Sequence, residues 1–166
     1  MKNFFAYNWQ VRDEWLEWCN QLSPEELLKE RQGGVGSFLY TLFHIIDVEY
    51  SWIRGIQREK DRIFDFSDYQ TLEQVKKLSD ELRIDNIEFL KVNEDFNNAI
   101  VKVAWDDKEY RKIDIIHHII VHEIHHIGQL SVWAKELALP SVSANFIGRE
   151  LKTYIYSKKK GKGMIK

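Results

Sequence analysis

Periodicity is the strongest constraint on this chain. Over most of its length apolar residues recur at three- and four-residue intervals, while Pro24, Pro140 and the group Gly33, Gly34, Gly36 stand between these segments. Such a pattern builds helices that each hide one stripe. The predicted first helix runs from about Asn3 to Leu22, with Phe5, Trp9, Trp15, Trp18 and Leu22 on or near one face. Ser23-Pro24-Glu25-Glu26 opens a short helix, with Ser as cap and Pro at the first position, and the glycines break it. Ser37 caps a second long helix through about Gln57. Thr71-Leu72-Glu73-Gln74 is a capping box for a third that reaches roughly Asn93, and a fourth long helix runs from near Lys112 to a point before Pro140. Only Ile100 to Trp105 reads as extended, and one such run cannot make a sheet alone. The expected fold is all-α: a four-helix bundle with short extra helices and an irregular connection before the fourth long helix.

Composition limits what this bundle can be. With 166 residues, 44% of them hydrophobic, the chain closes one substantial core and leaves little for a second. The expectation is a single domain over residues 1–156, followed by a Lys-rich tail over 157–166 that reads as a solvated end. A net charge of −2 supplies no global field toward nucleic acid or an anionic membrane, and neither is an expected partner. The N-terminal apolar run is too short for a signal-peptide core and no stretch approaches a membrane span, so the cytoplasm is the expected location. Cys19 is the only cysteine, which rules out an intrachain disulfide and any cysteine-based zinc cluster. A metal would have to sit on histidines and carboxylates.

Those histidines are concentrated. The stretch HHIIVHEIHHIGQL, residues 117–130, holds five of the chain's six. At about 100° per residue His118, His122 and His126 form a column on one side of the fourth helix, apart from the apolar stripe of Ile116, Ile120, Ile127, Leu130 and Ala134. Imidazoles four residues apart rise from successive turns and can clamp one divalent ion. His117 and His125 lie off the column's centre, where solvent or a helix seam would hold them. The sixth histidine, His44, sits mid-helix on a semi-polar strip with Tyr40, Thr41, Asp47 and Ser51, which suits a residue lining a wet cleft. The same stretch contains H-E-x-x-H at His122, Glu123 and His126, the zinc helix of many metalloproteases. However, Gln129 and Val132 stand where the extended pattern needs Gly and His, leaving only Glu136 or Glu150 as a third ligand. Glu123 lies about 100° from His122, toward the apolar stripe, where it can orient a ligand or pair with a neighbouring helix.

Several of these features together resemble the DinB-like or YfiT-like family of four-helix-bundle metalloproteins. They are Tyr7-Asn8 early in the first helix, His44 with Asp47 and Glu49 following in the second, and His122-Glu123-Ile124-His125-His126-Ile127-Gly128-Gln129, similar to the family's H-x-x-x-H-x-G-Q signature. The resemblance covers residues 1–152 and implies that His44, His122 and His126 hold a divalent metal, zinc or nickel. It also implies a use for that metal, because some members are transferases or isomerases that employ a low-molecular-weight thiol such as bacillithiol or mycothiol. Three imidazoles leave a coordination position open, as reactive sites do.

The leading expectation is therefore a metal-dependent thiol S-transferase acting on a thiol and an electrophile, with His118, Tyr40, Gln129 and Glu123 as pocket candidates. The alternatives are a non-catalytic metal-binding module of stress response or interaction, and an H-E-x-x-H hydrolase. A homodimer is also expected, with Trp9 and Trp15 as contributors to its face.

Overall fold

In the computed structural model, which describes residues 1–92 and 98–153, the chain is a bundle of long helices closed by a small hairpin, with the first long helix parallel to the last and the second parallel to the third. Helix α1 spans Lys2–Trp18 and passes into a 3-10 turn at Cys19–Gln21. Helix α2 (Pro24–Leu28) is held by the Ser23 hydroxyl, which accepts from the Glu26 amide. Helix α3 (Phe38–Gln57) starts in the same way, with Ser37 accepting from the Tyr40 amide. Helix α4 spans Leu72–Val92, and its capping box forms reciprocally between Thr71 and Gln74. Helix α5 spans Lys112–Glu136. The protein is all-α apart from the hairpin, as the periodicity requires. The expected end of the third helix near Asn93 and the Lys-rich segment 157–166 lie outside the described residues. Among the described residues no helix is long and apolar enough to cross a membrane.

The hairpin corrects one expectation. Ile100–Lys102 (β1) does pair, with Glu109–Arg111 (β2), in the register Val101 opposite Tyr110. Glu109–Arg111 has a single aromatic between two charged residues, too short to read as a strand, so its strand character is visible only once Val101 is buried on the bundle and Tyr110 packs edge-on to Trp52 of α3. Trp9 and Trp15 need correction too, since both are buried in the core and unavailable to a dimer face.

The core has two apolar halves. One gathers Trp15, Phe38, Leu42, Leu78, Ile127 and Trp133; the other gathers Phe5, Ile53, Ile87, Phe89, Ile116 and Ile119. Between them lies a buried polar layer, with Arg12 of α1, Glu49 of α3, Asn86 of α4 and Glu123 of α5 each at most 2% exposed. Arg12 donates to Glu123 Oε1 from Nε at 2.8 Å and to Glu123 Oε2 from Nη2 at 2.6 Å, and reaches Glu49 at 2.5 Å. Glu49 also accepts from the Trp9 indole at 2.9 Å and the Asn86 amide at 2.5 Å. A buried ion cluster is tolerable only when its charges are paired and hydrogen-bonded, as Arg12, Glu49 and Glu123 are here, while Asn86 Oδ1 in the same layer finds no partner. Its structural effect is registration, because one side chain ties the three helices α1, α3 and α5 at a single level.

Candidate metal centre

That registration places the middle of α3 against the middle of α5. His44 projects from the second turn of α3, and His122 and His126 project from successive turns of α5. Their ring nitrogens converge: His44 Nε2 lies 3.1 Å from His122 Nε2, which lies 3.1 Å from His126 Nε2. No other group of three or more His, Cys, Asp or Glu among the described residues offers donor atoms clustered this way. Hydrogen bonding does not account for the cluster, since His122 Nε2 has one hydrogen or one lone pair and two neighbours to serve. Two nitrogens held at about 2.1 Å from one ion, at an angle of roughly 90–110°, stand about 3.0–3.4 Å apart. The observed spacings fall in that interval, and the donor set fits a divalent ion.

Protonation and tautomer fit as well. Burial, reinforced by the neighbouring His126, holds the His44 imidazolium down at about 4, and burial with the surrounding histidines holds His122 at about 3. Burial lowers His126 too, against the opposing effect of its bond to Gln129. All three rings are thus neutral near pH 7, the form that binds metal. His126 Nδ1 lies 2.7 Å from Gln129 Oε1, and the Gln129 amide nitrogen lies 3.0 Å from His125 Nε2. A glutamine oxygen only accepts, so His126 carries its proton on Nδ1 and turns the Nε2 lone pair inward. Gln129 is itself confined by the loop before α3. A Cβ on Gly34 would stand 2.4 Å from the Trp133 ring and 3.2 Å from Gln129 Oε1, so only glycine lets the loop lie this close.

The remaining candidates separate. Tyr40 lies beside the cluster, its ring stacked on His44 at 6.2 Å and edge-on to Phe66 at 4.9 Å. His118 is exposed at the rim, 5.5 Å from the His122 ring and 5.5 Å from Trp52, and does not join the three converging nitrogens. His117 and His125 are exposed. Glu123 is the main departure from a pocket role. Its two oxygens are taken by Arg12 in the polar layer and it is 1% exposed, so it lacks the access that a metalloprotease base needs to a water at the histidines. The sequence reading missed Arg12 altogether. The available signal was an arginine within the apolar face of the first helix, between Trp9 and Trp15.

A helical bundle whose second and last long helices bring three imidazoles together defines the class of this protein as a histidine-cluster bundle. The profile of the DinB family matches residues 1–157, and the chain belongs to that family. It is 59% identical over 154 residues to the uncharacterized protein YizA of Bacillus subtilis strain 168, covering 92% of this chain and 97% of that protein. It also resembles a crystal structure of a DinB-like protein from Bacillus cereus ATCC 10987, with a TM-score of 0.62 over 84% of this chain and 91% of that one. At 17% identity that likeness speaks for the fold alone.

Proposed function

We propose that this protein is a metal-dependent enzyme that holds one divalent ion, zinc or nickel, on His44, His122 and His126, and activates a low-molecular-weight thiol for attack on an electrophile. The observation that carries this reading is the convergence of three Nε2 atoms from two helices, with His122 Nε2 lying 3.1 Å from both His44 Nε2 and His126 Nε2. Such an ion supplies a Lewis acid with an open position, chemistry that favours thiolate over thiol near neutral pH.

The chain's own residues supply the rest. Gln129 fixes the His126 tautomer, and burial keeps the three imidazoles unprotonated. Tyr40 and Phe66 wall one side of the cluster, and His118 with Trp52 stands at the other. In this reading His118 takes the proton that the thiol releases, and the thiolate sulfur then bonds to the electrophilic carbon as the leaving group departs with the displaced electron pair. The competing reading is a metal-binding module without turnover.

The test is elemental analysis of untagged protein prepared without chelators, alongside His44→Ala and His122→Ala variants checked by circular dichroism. About one ion per chain, lost in both folded variants, supports the site, and thiol consumption with model electrophiles then separates enzyme from module. No ion after incubation with zinc or nickel removes the reading. Loss only in His122→Ala removes His44 as a ligand.

A further inference from the structure

The outer face of α5 does not look like a helix face meant for water. Asp114, His117, Val121, Ile124, Gly128, Val132 and Lys135 all lie within about 40° of Gly128 around the helix axis, and all are exposed. Val121 is 62% exposed, Val132 55% and Ile124 43%. Between Asp114 and Lys135 the only Asp, Glu, Lys or Arg is Glu123, which is buried. A solvated helix normally carries charge on the side away from the core, as α4 does with Lys76, Lys77, Asp80 and Glu81. Gly128 adds an independent anomaly. Glycine in the middle of a helix is unfavourable, and a Cβ at position 128 would meet nothing within 4 Å. The single chain therefore offers no packing reason for its absence.

The order of residues along the stripe identifies a partner. An antiparallel copy related by a twofold axis between Ile124 and His125 brings residue i opposite residue 249 − i. In that register Asp114 faces Lys135 at both ends, His117 faces Val132, and Val121 faces Gly128. Opposite charges meet at the ends and a large residue meets the smallest at the centre, the complementarity that close helix packing requires. Asp114 accepts a two-bond fork from Arg111 at 2.7 Å yet stays 47% exposed, open to a second cation, and Lys135 forms no ion pair with a described residue. We propose that this face binds a second copy of the chain, as an antiparallel α5–α5 homodimer in this register.

Sedimentation velocity of the full chain over micromolar to submillimolar concentrations tests it. The wild type should show a reversible dimer, and Gly128→Leu and Val121→Glu, both folded by circular dichroism, should each weaken it at least tenfold. Asp114→Lys and Lys135→Asp should each weaken it, and the double swap should restore it to within a few-fold of the wild type. Mixed Val121→Cys and Gly128→Cys proteins should form a heterodisulfide faster than either alone, while the buried Cys19 stays out of reach. A monomer throughout, or a dimer indifferent to Gly128→Leu and Val121→Glu, overturns the proposal. A double swap no better than the single ones overturns the register.

Discussion

His126 Nδ1 gives its proton to Gln129 Oε1 across 2.7 Å while its Nε2 faces His122 at 3.1 Å, so one hydrogen bond decides which nitrogen of His126 points into the histidine cluster. The same glutamine meets His125 through its amide nitrogen and lies against Gly34, which makes it a link between the loop before α3 and the candidate metal ligand. Ligating histidines generally depend on such a partner.

Replacing that partner should show the dependence. Gln129→Leu is expected to lower zinc affinity by about 10–100-fold in chelator competition, the usual effect of removing a group that orients a ligand. Gln129→Glu, which still accepts from Nδ1, should retain most of it. Equal affinity in wild type and Gln129→Leu would show that the tautomer is set by something else.

Arg12→Met should be among the most destabilising single changes in the bundle. It leaves Glu49 and Glu123 buried without their shared cation, and breaking a buried pair costs about 3–5 kcal/mol. Urea unfolding measures it. Glu123→Gln should cost less than Arg12→Met and leave metal stoichiometry unchanged, whereas a metalloprotease base at that position would make it matter to turnover first.

Metal-free protein should lose stability as pH falls from about 6.5 toward about 4. An unfolded histidine titrates at about 6.5, whereas His44 and His122 are held at about 4 and about 3 in the fold. Within that window the unfolded chain takes up protons the native chain refuses, and above it the effect vanishes. Asp47, raised by burial to about 6, acts in the opposite direction over part of the same range. Comparing wild type with a His44→Asn/His122→Asn double variant, both in chelator, cancels Asp47. The wild type should show the steeper loss between pH 7 and pH 5, and parallel curves would contradict the burial of the two rings.

Gly34→Ala tests the loop. Its new methyl would press on Trp133 and then on Gln129, and overpacking of this kind costs about 1–3 kcal/mol. Both the thermal midpoint and zinc affinity should fall. A fall in the midpoint alone would show that Trp133 moves without carrying Gln129 with it.

The elements legible in the sequence are those set by local chemistry. Ser23, Ser37 and the Thr71–Gln74 box mark helix starts because each side chain satisfies an amide two or three residues away, and those bonds form where expected. Spacing also put His122 and His126 on adjacent turns, since helical geometry alone fixes that relation. The resemblance to DinB proteins then singled out His44 as their companion.

What spacing left undecided depended on neighbours distant in sequence. The columnar spacing also included His118, and only the position of α3 decided that His44 meets His122 and His126 while His118 stays at the rim. Glu123 looked equally suited to the histidines or to a neighbouring helix, and Arg12, 111 residues away, settled the choice. Glu109–Arg111 became a strand because Ile100–Lys102 lay alongside it. The sequence by itself therefore determined helix limits and the imidazoles that share a turn, because those follow from bonds within a few residues. Tertiary structure decided which donors converge and which carboxylate is withdrawn, because burial and charge pairing are set by whatever the fold brings alongside.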